Sequence, residues 1–199
     1  MSRELDAIHR LRPILRCSTE QKETVRTLRN DPAIRSAMYT DHVISEAEHA
    51  RWLSGLDGDR ARRVFVVLDP GESPVGVVSL SAIDPVHGKA DWGFYLSPQA
   101  QGGLGTLVLF HLIDFAFEAL GLEKLNGEAI EGNAASLAVH RKLLFQDEGF
   151  RRSQMVRDGV RCGIHLMGLT REDWRKARGG VLPLPVRHRV MLEDEDASA

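Results

Sequence analysis

A chain of 199 residues with 43% hydrophobic content can bury one core of ordinary size, so one domain is the simplest count. Its formal net charge of −2 argues against a general nucleic-acid or membrane-surface binder, and no apolar run approaches the length that crosses a bilayer. The opening MSRELDAIHR lacks the apolar stretch of a secretory signal, and Cys17 and Cys162 have no metal-ligand spacing, so a cytoplasmic protein with reduced thiols and no metal is expected.

Residues 1–11 read as a leader before one domain over 12–178, whose first strand lies around Arg12 to Cys17. Ser18 or Thr19 can cap a helix that runs to Arg29 with Val25 and Leu28 inward, and Asn30-Asp31-Pro32 breaks it. Ser45-Glu46-Ala47-Glu48 is a capping box, in which hydroxyl and carboxylate satisfy each other's free N–H groups. It opens a second helix to Leu56, with Ala50 and Leu53 inward and His49 and Trp52 near one side. Val64–Leu68 and Val75–Ile83 are β-rich runs joined by Asp69-Pro70-Gly71, a hairpin signal, and Val77, Ser79, Ser81 and Ile83 share one face of the second.

Asp91–Leu96 alternates, with Trp92, Phe94 and Leu96 on one face, and Pro98 stops it. Gln101-Gly102-Gly103-Leu104-Gly105-Thr106 then leads into a helix apolar nearly all round, the pattern of a buried helix. Glycines before a helix let backbone N–H groups approach an anion, and the helix N-terminus adds partial positive charge. The turn lacks the Gly-Lys-Ser/Thr of a P-loop, and Val108 stands where a dinucleotide fingerprint needs a third glycine. An anion site and a purely structural strand-to-helix turn both remain open on these residues alone.

Gly121 is a plausible C-cap, and Lys124–Ile130 alternates again with Asn126, Glu128 and Ile130 on one face. A carboxylate in mid-strand is unusual and marks Glu128 as a functional candidate. Asn133 caps the next helix, in which Ser136 and His140 lie one turn apart. Gly149 separates it from a hairpin, Arg151–Arg157 and Val160–Leu169, across Asp158-Gly159, and a short helix follows from Thr170. Residues 179–199 read as a tail with no packed structure of its own.

This order of elements, the Gln101–Gly105 turn, Asn133-Ala-Ala-Ser136, Phe145–Phe150 and Arg157-Asp158-Gly159 together resemble the GNAT N-acetyltransferases, over residues 12–174. The resemblance implies an α+β fold layered α/β/α, a mixed, mostly antiparallel central sheet flanked by helices. It implies acetyl-CoA as co-substrate, held by Phe94, Leu96, Gln101, Gly102, Gly103, Gly105, Thr106, Asn133 and Lys142, and no metal. It makes Glu128 the base that deprotonates the amine, places an oxyanion donor on the strand near Tyr95 to Ser97, and puts His140 where the family presents a tyrosine acid.

Within the family, Arg29-Asn30-Asp31-Pro32, Met38-Tyr39, Ile44-Ser45 and Glu48–Leu53 are similar to the acetyltransferases of pseudaminic acid biosynthesis, which act on the 4-amino group of a UDP-linked 4-amino-4,6-dideoxy sugar. That likeness turns Arg29, His49, Ser81 and Tyr95 toward the nucleotide-sugar, and Ser79 and Glu128 toward the reacting amine. The expected partner is then a small-molecule amine, with no nucleic acid and no membrane, and a homodimer is compatible with it. Two alternatives stay open. The segment from Ser136 to Gly159 also resembles the ribosomal-protein group, so a protein N-terminal amine or a polyamine could be the acceptor. A catalytically weak acyl-CoA-binding module is suggested by Ala100, where the family's turn carries Gln or Arg, and by the missing tyrosine.

Overall fold

The computed structural model describes residues 8–98, 100, 103–182 and 189–193. Its strands are β1 (Ile8–Pro13), β2 (Arg63–Leu68), β3 (Pro74–Asp84), β4 (Lys89–Leu96), β5 (Lys124–Ile130), β6 (Gln146–Arg157), β7 (Val160–Thr170) and β8 (Arg189–Leu192). They form one sheet in the order β6-β7-β5-β4-β3-β2-β1-β8. Neighbours run antiparallel except β4 with β5 and β1 with β8. The mixed, mostly antiparallel sheet expected from the sequence is therefore present.

Helices cover both faces. On one face α1 (Thr19–Arg29) and α3 (Glu46–Ser54) cover Val64, Val66, Leu68, Val77 and Tyr95. On the other, α4 (Leu104–Asp114) and α6 (Arg171–Ala177) pack over Phe65, Val67, Val78, Leu80 and Trp92. The run Val64–Leu68 is apolar at every position because β2 is covered on both sides. The short α2 (Pro32–Arg35) follows α1, and α5 (Ala134–Lys142) follows β5. Helix α4 is buried as its composition predicts, with Val108, Leu109, Leu112 and Ile113 at 1% exposure or less. It continues through a wider turn at Phe115–Ala119 and ends at Gly121, whose φ of +67° needs glycine.

Three expectations change. On α3 the inward residue is His49, 8% exposed, while Ala50 faces solvent. The buried stripe is His49, Trp52, Leu53 and Leu56, the i, i+3, i+4, i+7 set, and the imidazole stacks on Trp52 at 5.4 Å and 23°. Strand β1 begins at Ile8, inside the expected leader. Strand β8 lies inside the expected tail and pairs parallel with β1 from Ile8↔Arg189 to Leu11↔Leu192. Val190 and Leu192 pack against the main core, and Glu193 N–H donates to Leu11 O at 2.9 Å.

The end of β8 is fixed by charge. Arg12 grips Glu193 with Nε at 2.8 Å from one oxygen and Nη2 at 3.0 Å from the other, and also pairs with Glu72. This fork holds the Glu193 carboxyl below the usual carboxylate range. A folded-state value below the unfolded one, about 4.3, means stabilisation that is present above that pH and fades as pH falls through the folded value. Glu193→Gln is therefore expected to lower unfolding free energy by about 1 kcal/mol at pH 7 and by progressively less as the pH is taken down below the ordinary carboxylate range, read from urea midpoints.

Candidate active site

The site begins where two strands part. Strands β4 and β5 pair in parallel only at Lys89↔Lys124, Ala90↔Leu125 and Asp91↔Asn126. Beyond that they diverge around a cleft of about 570 Å³, lined by β4 from Asp91 to Leu96, by Asn126 and Glu128–Ile130, and by one side of α5. On β4 the N–H of Ser97 donates to Val75 O at 2.8 Å, toward β3. Alternation along an antiparallel ladder then turns the main-chain groups of Phe94 and Leu96 the other way, into the cleft. Of the span expected to supply an oxyanion donor, Tyr95 and Ser97 face β3, and Leu96 faces the cleft.

At the far end of β4 the chain enters α4. Gly103 caps the helix at φ +87°, a left-handed conformation, and Gly105 sits so close to β4 that a β-carbon would lie 2.9 Å from Leu96 Cδ1. The first turn of α4, with Thr106, is thus held beside the end of the strand. Gln101 and Gly102 lie outside the described residues. Asn133 lines the cleft and caps α5, its Oδ1 accepting from Ser136 N–H at 3.0 Å. Lys142, in the last turn of α5, is exposed and does not line the cleft.

A second cavity of about 310 Å³ lies under α1 and α3, and Ser81 and Tyr95 line both. Arg29, His49, Trp52 and Ser79 line it too, with Arg26 and Arg62, and no carboxylate does among the described residues. Arg26 is paired with Glu23 and Arg62 with Asp59. Arg29 makes no ion pair among the described residues: Nη2 donates to Thr40 O at 2.8 Å, and Nη1 is buried without a partner. His49 Nε2 is likewise buried and unpartnered. Burial pulls both groups below their ordinary pKa values and pushes the Tyr95 phenol up, against the smaller opposing pull of Glu23 on His49 and of Arg29 and Tyr95 on each other. Ser79 Oγ donates to Gly93 O at 3.3 Å.

The two expected proton carriers sit on opposite faces of β5. Glu128 shares its face with Asn126 and the second cavity; Oε1 accepts from Arg151 Nη1 at 2.9 Å, and Oε2 accepts from the Tyr39 hydroxyl. A carboxylate held in this way can take a proton from a neighbouring group. His140 lies behind the other face, 2% exposed, against Gly127, whose absent β-carbon would stand 2.4 Å from Nε2.

The geometry runs against the acid role expected for His140. An indole N–H can only donate, so the 2.9 Å bond from Trp92 Nε1 makes Nε2 the acceptor, and Nδ1–H donates to Ser136 O at 2.8 Å. Burial lowers its pKa further, leaving a neutral ring with no proton free for the cleft. Sequence reasoning missed Arg151 and the role of Trp92, and took Tyr39 only as part of a motif. Arg151 stands two strands from Glu128, across β7, a relation that carries no spacing signal. His140→Phe should strand the buried Trp92 N–H and lower stability by about 1–3 kcal/mol, with kcat of the folded fraction unchanged, by denaturant titration beside kinetics.

Residues 10–146 match the model of the acetyltransferase (GNAT) domain. A putative ribosomal N-acetyltransferase, YdaF of Bacillus subtilis, is 31% identical over 100 residues, 50% of this chain and 55% of that protein. The spermidine N(1)-acetyltransferase of Escherichia coli K12 is 37% identical over 92 residues, 46% of this chain and 49% of that protein. The match thus spans about half the length of these two relatives. Acetyltransferase PseH of Campylobacter jejuni is 25% identical over 133 residues, 67% of this chain and 82% of its own. Among solved structures, the spermidine N-acetyltransferase of Vibrio cholerae in complex with CoA and spermine superposes with a TM-score of 0.77 at 21% identity, covering 84% of this chain and 98% of that one. That likeness speaks for the fold, and the domain match over most of the chain for the lineage: the chain belongs to the GNAT acetyltransferase family.

Proposed function

We propose that the protein transfers the acetyl group of acetyl-CoA to a primary amine on an anionic acceptor, with a nucleotide-linked amino sugar as the favoured class. The observation that carries the choice is the second cavity, where Arg29 and His49 present buried, unpartnered nitrogens and no carboxylate among the described residues lines the space. A polyamine would bring several cations into that space, whereas phosphate or carboxylate oxygens would satisfy both nitrogens. Trp52, stacked beneath His49, offers a flat apolar surface for a base or sugar ring.

The chemistry follows from the arrangement. The N-terminus of α4 suits the diphosphate of the cofactor, as helix N-termini suit anions generally. Leu96 N–H is the donor available for the oxyanion of the tetrahedral intermediate. An ammonium cannot attack a thioester, and Glu128, on the face it shares with the second cavity, is positioned to accept its proton directly or through a water. Ser79 and Ser81 supply hydroxyls along the acceptor's path.

The test is thiol release from acetyl-CoA with a UDP-linked 4-amino sugar, spermidine and an N-terminal peptide measured side by side. Arg29→Ala is expected to raise KM for the sugar about 10- to 100-fold, the cost of one charge-assisted hydrogen bond, and KM for acetyl-CoA less than about twofold. Spermidine or the peptide as the better acceptor would overturn the anionic reading. No thiol release with any amine would favour an acyl-CoA-binding module.

A further inference from the structure

We propose that Tyr39 is the catalytic residue that protonates the departing thiolate, handing on through Glu128 a proton that comes from the attacking amine. The inference rests on the acetyl-transfer reading above and extends it to a residue on the opposite wall of the cleft from α5.

The family position for an acid is spent, because both ring nitrogens of His140 are engaged and the ring lies behind the other face of β5. The other titratable groups lining the cleft are Asp91, Tyr95, Glu128 and Tyr39. Asp91 is engaged by Asn126, from whose Nδ2 it accepts at 2.9 Å. Tyr95 packs into the cluster under α1 and α3. Tyr39, 52% exposed, sits on the segment after α2 and donates its hydroxyl to Glu128 Oε2.

That segment is fastened by cations bound to its carbonyls. Arg157, near the tip of the β6–β7 hairpin, donates to Ser36 O and Met38 O on either side of Ala37. Arg29 Nη2 reaches Thr40 O at 2.8 Å and Arg35 Nη1 reaches Asp41 O at 2.6 Å. Four bonds thus hold the tyrosine over the cleft, although its own ring is half exposed.

The protons balance from the neutral amine onward. Its nitrogen bonds to the acetyl carbon, the C–S bond breaks with its electron pair left on sulfur, and the nitrogen gives its surplus proton to Glu128. Tyr39 gives the phenolic proton to sulfur and recovers one from Glu128. The coupling matters because burial and the carboxylate push the Tyr39 pKa up, making the phenol alone a poor donor to a thiolate of about 8.5. A protonated carboxyl is a stronger acid than a thiol, so the net transfer from carboxyl to thiolate is downhill.

The test is Tyr39→Phe with two acetyl donors, acetyl-CoA and S-acetyl-4-nitrothiophenol, whose thiolate leaves without needing a proton. With acetyl-CoA kcat should fall about 10- to 100-fold at unchanged KM and melting temperature, and added imidazolium buffer should restore part of it at constant pH. With the aryl thioester kcat/KM should fall less than about threefold. Equal losses on both donors without buffer rescue would mean that Tyr39 only holds Glu128 in place, and would overturn the proposal, as would an unchanged kcat. A wild-type protein that releases no thiol with any amine would overturn the acetyl-transfer reading itself.

Discussion

Parallel pairing between β4 and β5 stops after Asp91 and Asn126, and the site depends on that stop. A strand that loses its neighbour in a protein interior leaves N–H and C=O groups without partners, at a cost comparable to lost hydrogen bonds. Here those groups belong to Phe94 and Leu96, and they face a cleft instead of a strand. The parting is filled on the α5 side by aromatic rings: Trp92 stacks on Phe145 at 4.5 Å, and His140 meets both edge-on. Gly127 lets them close against β5, since a β-carbon there would also lie 2.7 Å from Trp92 Nε1. A cleft built in this way suits an extended polar ligand that can pair with the strand edge.

The faces of the sheet divide the work. Alternation puts Ser79, Ser81, Tyr95, Asp91 and Glu128 on the side of α1 and α3, together with the cavity that holds the unpartnered nitrogens of Arg29 and His49. Trp92, Phe94, Gly127 and His140 lie toward α4 and α5. Ser81 and Tyr95, common to both cavities, mark where an acceptor could meet an acetyl donor. His140 serves the packing of one side, while the Tyr39–Glu128–Arg151 chain belongs to the other.

Much of this was legible in the sequence, and the limits are physical. Strong local signals were read correctly: the Ser45–Glu48 capping box, Ser18 as a cap, the buried α4, the Asp69-Pro70-Gly71 and Asp158-Gly159 hairpins, and the alternation of β4 and β5. Arg29, His49, Ser79, Ser81 and Tyr95 do gather in one cavity. What escaped was set by distant partners. Four residues at β8 carry too little periodicity to identify a strand, and its partner is at the other end of the chain. His140 was given its role by the family resemblance, but its protonation is decided by Trp92, 48 residues away, and by burial. The β5–β6 relation that brings Arg151 to Glu128 passes across a whole strand.

Strand β8 also bears on how the chain can fold during synthesis. The bond from Arg12 to Glu193 spans 181 residues, so the outer edge of β1 stays without its neighbour until nearly all the described chain has been made. An uncovered strand edge is a template for pairing with other chains, and contacts of such long sequence separation form late. During that interval Leu11, fully buried at the end, lies on a strand with one free side, and Arg10 and Arg12 flank it there. Charges on an exposed edge oppose its association with a second nascent chain. The same two arginines, which pair with Glu72, thus guard the edge until Glu193 arrives.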